Sequence, residues 1–172
     1  IVSPSYEPIR ELELQMPSSW NVLRMVDANG QPIAFDTYTN SDGTMRLRIA
    51  LPSVVQSGVD FTFDLEAETV PEMWLSSWET FVASVPQLLV LGAATDQGGI
   101  AIRSLGDFDV VAGNTAGVSP LDSARKSRYQ LDGHEAPLAY SYEQRPWSLE
   151  FELQRKKPET TVEHYSFFQL HN

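Results

Sequence analysis

The chain has 172 residues, a formal net charge of -11 at pH 7 and no cysteine. That length fills one well-packed core or two small, closely packed β-units, and the absence of cysteine removes disulfide frameworks, thiolate zinc sites, iron–sulfur clusters and cysteine nucleophiles. The acidic balance argues against nucleic acid and anionic membrane surfaces as partners, because phosphate binding is built from clustered Lys and Arg.

Ile9 to Met16 reads as a strand, with Leu12, Leu14 and Met16 on one side and Glu11, Glu13 and Gln15 on the other. Trp20 to Ala28 follows with apolar residues at both parities, the mark of a strand covered on both faces. Asn29-Gly30 suits a type I′ hairpin turn, and Pro32, which cannot donate to a ladder, places the return through Ile33 and Phe35 at an edge. Asp42-Gly43 closes a second hairpin, so residues 1–68 read as a β-meander of about five strands.

The stretch from Thr44 to Glu68 carries the clearest period-two pattern. Met45, Leu47, Ile49 and Leu51 alternate with Arg46 and Arg48; Val59, Phe61, Phe63 and Leu65 alternate with Asp60, Asp64 and Glu66. Pairing the two across the loop from Pro52 to Gly58 puts Ile49 opposite Phe63, Arg48 opposite Asp64 and Arg46 opposite Glu66. The core face and the charge face then come into register together.

From Thr69 to Val85 the pattern supports two readings. Trp74, Trp78 and Val85 recur at helical spacing, and Thr69-x-x-Glu72 has the form of a capping box. Ser76, Ser77 and a high β-branched and aromatic content favour an extended crossing between sheets. Gln87 to Ala94 reads as a buried strand, Asp96 to Gly99 as a turn, and Ile100, Ile102, Phe108, Val110 and Val111 as short strands. Gly113 to Gly133 reads mainly as a long loop, with Ser119-Pro120 capping one short helix through Lys126. Strands return at Leu138 to Tyr142, Trp147 to Leu153 and Val162 to Leu170. Glu11 to Gln15 (ELELQ) and Glu150 to Gln154 (EFELQ) are near-copies, a match that alternation alone can generate.

The order LELQMPSSWNVLRM, a Gly-punctuated meander, VPQLLVLGAATDQGGIAIRS and AYSYEQRPWSLEFELQRKKP resembles β-rich ectodomain segments of very large bacterial envelope proteins. The likeness covers nearly the whole chain as a pattern of strands and turns, and no functional residue carries over from it. It implies a non-catalytic, extracytoplasmic module within a longer membrane-associated polypeptide. The start at Ile1 rather than methionine fits a segment of something longer. No apolar run approaches the roughly 20 residues of a membrane span, so no direct membrane insertion by this segment is expected.

Few residues point to chemistry. His134 lies in Asp-Gly-His-Glu, His164 follows Glu163 and His171 is next to the end; no pair has the i, i+4 spacing of a zincin helix, and no metal site or cofactor is expected. An acidic hydrolase would have to collect two or more of Asp107, Asp109, His134 and Glu135 in one cleft. Gly98-Gly99 and Gly113 to Gly117 do not continue into a phosphate-loop or dinucleotide motif and read as turns. The basic groups Arg125, Lys126 and Arg128, then Arg155, Lys156 and Lys157, read as solvated loop charge. Aromatic rings are the remaining option: Trp74, Trp78, Tyr140, Tyr142 and Trp147 either form a sugar-stacking platform or fill the core. Tyr140 and Tyr142 share a face by parity.

These readings converge on an all-β, mainly antiparallel β-sandwich with one or two short helices. It spans residues 1–172 as a single sandwich or as two packed β-units, about 1–68 and 86–172. The expected role is a structural or protein-interaction module without catalytic residues. Its partners are neighbouring domains of the same polypeptide or another envelope protein. A glycan held by Tyr140, Tyr142, Trp74 and Trp78 is the first alternative, and the acidic hydrolase the second.

Overall fold

The computed structural model describes residues 1–75, 79–104, 106–129, 131 and 136–156. The expected strand from Val162 to Leu170, with His164 and His171, and likewise Trp78, His134 and Glu135, lie outside the described residues.

Within them the protein is all-β and antiparallel. The first half contains β1 (Ile9–Met16), β2 (Asn21–Asp27), β3 (Phe35–Thr39), β4 (Met45–Val55) and β5 (Phe63–Glu68). The second contains β6 (Thr80–Ser84), β7 (Leu89–Val90), β8 (Gly98–Ile102), β9 (Phe108–Ala116), β10 (Ser119–Pro120), β11 (Leu138–Tyr142) and β12 (Ser148–Arg155). One helical turn, α1 (Ser123–Lys126), is capped by Asp122, whose carboxylate accepts from the Arg125 N–H at 2.9 Å. The strands form four sheets, ordered β3-β4-β1-β7, β2-β5, β6-β12-β9 and β10-β11-β8.

The turns fall where the sequence puts them. The chain reverses at Asn29-Gly30, with Val26 bridged to Pro32, and at Asp42-Gly43 between β3 and β4. Asp27 caps the first turn by accepting from the Asn29 and Gln31 N–H groups, both at 2.8 Å. Asp42 caps the second from the Thr44 N–H at 2.9 Å and hydroxyl at 2.6 Å.

The expected pairing of β4 with β5 does not occur. β4 lies between β3 and β1, with Ile49 opposite Phe35 on one side and Leu12 on the other. β5 pairs with β2, so that Phe63 faces Asp27, Asp64 faces Val26 and Glu66 faces Arg24. Arg48 instead reaches Glu11 and Glu13 of β1. The meander is therefore interleaved, β1 with β4 and β2 with β5, and only β3–β4 is a simple hairpin. The reason is that alternation fixes which face of a strand is buried but not which neighbour it takes. β4 continues past Pro52 to Val55, and the Gln56–Val59 turn, with the Val59 N–H on the Gln56 carbonyl at 3.1 Å, carries the chain over to the opposing sheet. Both arrangements bury Leu47 and Ile49, whereas Val59, expected on the apolar face of its strand, is exposed and lies outside β5. Leu47 and Ile49 are fully buried and, with Leu12, Leu14 and Met16, meet Met25, Phe63 and Leu65 across the first core.

Within Thr69 to Val85 the described residues form a 3₁₀ turn, Glu72–Leu75, and β6, so the stretch is not a single helix. The capping box is not made: the Thr69 hydroxyl donates to the Ser19 carbonyl at 2.9 Å, which fastens the end of β5 to the start of β2. The expected strand from Gln87 to Ala94 shrinks to Leu89–Val90. The expected loop from residue 113 starts later, because β9 runs on to Ala116 beside β12, and Ser119-Pro120 bridges β11 instead of capping a helix. A second core gathers Tyr140, Trp147 and Leu149, with Val85, Ile100, Ile102 and Leu138 packed against them. The ELELQ and EFELQ segments occupy like places: β1 and β12 are each flanked by strands on both sides.

Candidate functional site

A groove of about 850 Å³ lies beside β1, walled by residues 1–6, by the segment 90–99 and by Tyr129. Each wall is built from identifiable local structure. Residues 1–6 are tied to the opposing sheet by two bonds between Val2 and Phe61, each 2.8 Å, by the Gly58 N–H on the Pro4 carbonyl at 2.8 Å, and by the Ser57 hydroxyl on the Ser5 carbonyl at 2.9 Å.

The floor is the outer edge of β1. In an antiparallel strand the backbone groups of alternate residues point to the same side. Leu14 and Gln15 pair with Val90 and Leu89, and the Leu91 N–H donates to the Glu13 carbonyl at 2.9 Å, so the odd-numbered residues of β1 face β7. The ladder stops there. Gly92 has φ 77°, a left-handed conformation that a side chain disfavours, and the Ala93 N–H turns back to the Val90 carbonyl. The N–H and C=O of Glu11 come next in the series, and among the described residues no strand pairs with them.

β8 forms the far side. Tyr140 and Tyr142 pair with Ile100 and Gly98, while the Leu121 N–H bonds the Ala139 carbonyl, so Gly99 turns its backbone away from β11. A Cβ on Gly99 would stand 2.6 Å from Cβ of Tyr129, and one on Gly98 would stand 2.9 Å from the Tyr142 ring. Glycine lets these aromatics lie flat on the strand; the Gly98-Gly99 expected as a turn is the covered start of β8.

The segment 87–96 is held by a polar clasp. Arg145 donates through Nε to Asp96, through one terminal nitrogen to Gln87 Oε1 at 2.7 Å and through the other to the Leu88 carbonyl. The Tyr142 hydroxyl donates to the second Asp96 oxygen at 3.0 Å. The guanidinium also lies 5.8 Å from the Trp147 ring centroid, and Trp147 stacks on Tyr142 at 5.0 Å. Burial, and then the negative charge of Asp96, push the Tyr142 phenol up to about 12.

On the solvent face of β1, the Tyr38 hydroxyl donates to Glu13 Oε1 at 2.8 Å, and Arg48 approaches Glu11 and Glu13 at 3.3 Å each. The Tyr38 bond and then Arg48 hold the Glu13 carboxyl below its ordinary value. Among the described residues, the groove is lined by three carboxylates, Glu11, Glu13 and Asp96, and by no Lys or Arg.

Of the residues singled out as a sugar platform, Tyr140, Tyr142, Trp74 and Trp147 do not line this groove. Tyr140 is buried in the second core, so the face it shares with Tyr142 is the packed face, and Tyr142 is half-buried under Trp147. Trp74 packs its ring on Phe108 at 5.3 Å between centroids. Of the acidic set, Asp109 sits 3.5 Å from Lys156, and the Asp107 carbonyl accepts from the Lys156 N–H. Among the described residues no three His, Asp or Glu cluster in a way that would hold a metal ion, and no helix is long and apolar enough to cross a membrane. Sequence reasoning missed Asp96, Arg145 and the open edge at Glu11. The first two carry no pattern; the third had a signal in Gly92, placed to break a ladder after Leu89–Val90.

Comparison with protein-family models gives no match, nor does comparison with curated proteins.

Proposed function

We propose that this chain is a non-catalytic structural or protein-interaction module of a larger bacterial cell-envelope protein, working outside the cytoplasm. Its partners are neighbouring domains of the same polypeptide or another envelope protein. The observation that supports this reading is the groove of about 850 Å³ bordered by two strand edges, at Glu11 of β1 and Gly99 of β8. Ligand clefts fall in this size range, and walls made of strand edges offer backbone hydrogen bonds rather than reactive side chains. The carbohydrate alternative would need exposed rings for pyranose stacking; Tyr140 is buried and so does not supply one.

The reading is tested in the parent polypeptide. Replacing residues 1–172 by a flexible linker should abolish its assembly with its partners on native gels while leaving its attachment to the envelope intact. Unchanged assembly overturns the reading, as does turnover of glycan or ester substrates by the chain alone.

A further inference from the structure

We propose that the groove beside β1 takes an extended strand of another polypeptide, in which Lys or Arg alternates with apolar residues, by adding it to the open edge at Glu11. The proposal rests on the interaction-module reading and names the partner's chemistry.

Three observations carry it. The first is the interrupted ladder. Gln15 and the Glu13 carbonyl bond to the β7 side, the turn at Leu91–Gly92 ends that pairing, and among the described residues no strand takes the next N–H and C=O in the series, those of Glu11, which lines the groove. An unpaired strand edge of this kind is the template for strand addition. β8 turns a second edge, at Gly99, toward the same space, and among the described residues no strand pairs with it.

The second is charge. Glu11, Glu13 and Asp96 line the groove, and among the described lining residues there is no Lys or Arg, although Arg48 pairs with the two glutamates and Arg145 with Asp96 from outside it; the chain as a whole carries a net charge of -11. Glu11 keeps 58% of its side chain exposed although Arg48 touches it. A cationic strand is steered toward such a surface and an anionic one is repelled.

The third is the neighbour β1 already has. On its other edge β4 presents Arg46-Leu47-Arg48-Ile49: Arg48 reaches both glutamates on the solvent face while Leu47 and Ile49 fill the core. A strand on the open edge meets the same two faces of β1. The acidic face favours Lys or Arg, and the opposite face, toward Leu12, Ile9 and Val2, favours apolar side chains.

The test titrates the ¹⁵N-labelled chain with a blocked peptide of alternating valine and lysine, about six residues long, the usual strand length. Two further versions are N-methylated, one at each set of alternate amides, and a third has glutamate for lysine. The expected result is saturable binding with shifts centred on Glu11 and Gly99. One methylated version, whose blocked amides face β1, should bind at least about tenfold more weakly, the loss of one or two hydrogen bonds. The other, whose blocked amides face away from β1, should bind more tightly than that version, and the glutamate peptide should not bind. Equal binding by both methylated versions, or shifts away from the groove, overturns the proposal. So does self-association of the free chain through this edge, seen by light scattering and abolished by Glu11→Lys, because the occupant is then a second copy. Absence of peptide binding while the linker replacement still abolishes assembly overturns strand addition and leaves the module reading standing; absence of binding with assembly intact overturns both.

Discussion

Leu47 and Leu23 make the most demanding internal comparison. Both are leucines inside strands of the first half, yet Leu47 is 0% exposed and Leu23 is 47% exposed. Leu47→Ala removes the same atoms as Leu23→Ala, but from a site enclosed by β1 and the opposing β2–β5 ribbon, so it loses burial and leaves a cavity as well. Buried Leu→Ala changes cost about 2.7–5 kcal/mol, and for a chain of this length that lowers the midpoint by roughly 10 °C. Leu23→Ala loses only partial contact and should cost under about 1 kcal/mol. Urea unfolding followed by tryptophan fluorescence reads both. A loss below about 1 kcal/mol for Leu47→Ala, or equal losses for the two, would refute the assignment of faces and with it the position of the first core.

Further outcomes follow from the same geometry. Since the chain has no cysteine of its own, E13C/R48C, which are direct cross-strand partners, should form a disulfide on mild oxidation while R48C/D64C should not; the reverse, read by mass spectrometry, would restore the simple hairpin. Gly99→Ala drives a Cβ into Tyr129 and should cost about 1–3 kcal/mol as overpacking does; a neutral effect in thermal melts would mean that Tyr129 does not lie on β8. The carboxyls of Asp27, Asp42 and Glu13 are lowered in the folded chain, respectively by the Gln31 N–H, the Thr44 hydroxyl and the Tyr38 hydroxyl. Their contribution is complete above the unfolded carboxylate values near pH 4 and is lost as pH falls through the lowered folded values; Asp27→Asn with Asp42→Asn should flatten that acid limb of the stability curve. Tyr142 works in the opposite sense. Its folded value near 12 lies above the ordinary value of 10, so its contribution is complete below pH 10 and is lost as pH rises toward 12; Tyr142→Phe should remove that alkaline loss.

The residues made some of this legible and withheld the rest for physical reasons. Alternation told which side chains of β1, β4 and β5 turn inward, and Leu12, Leu14, Leu47 and Ile49 are where it put them. It could not tell that β4 would take β1 rather than β5, because Glu11 and Glu13 offer Arg48 the same complement as Asp64 and Glu66. The turns at Asn29-Gly30 and Asp42-Gly43 were legible because their chemistry is local. The far half of β9 was not: Ala112 to Ala116 are exposed and small, so no period two marks them. Parity put Tyr140 and Tyr142 on one face without saying that this face was the core. The groove was hidden most completely, since it depends on where pairing stops, and an unpaired edge leaves no trace in the composition of the strand that bears it.

Amide hydrogen exchange on the free chain, residue by residue along β1, tests the open edge most directly. The Leu12 and Leu14 amides, directed toward β4, should be protected to the level of the core, while the Glu11 amide between them and the strand's start should exchange many times faster. Protection of Glu11 equal to that of Leu12 would show the edge already covered and would contradict the docking groove.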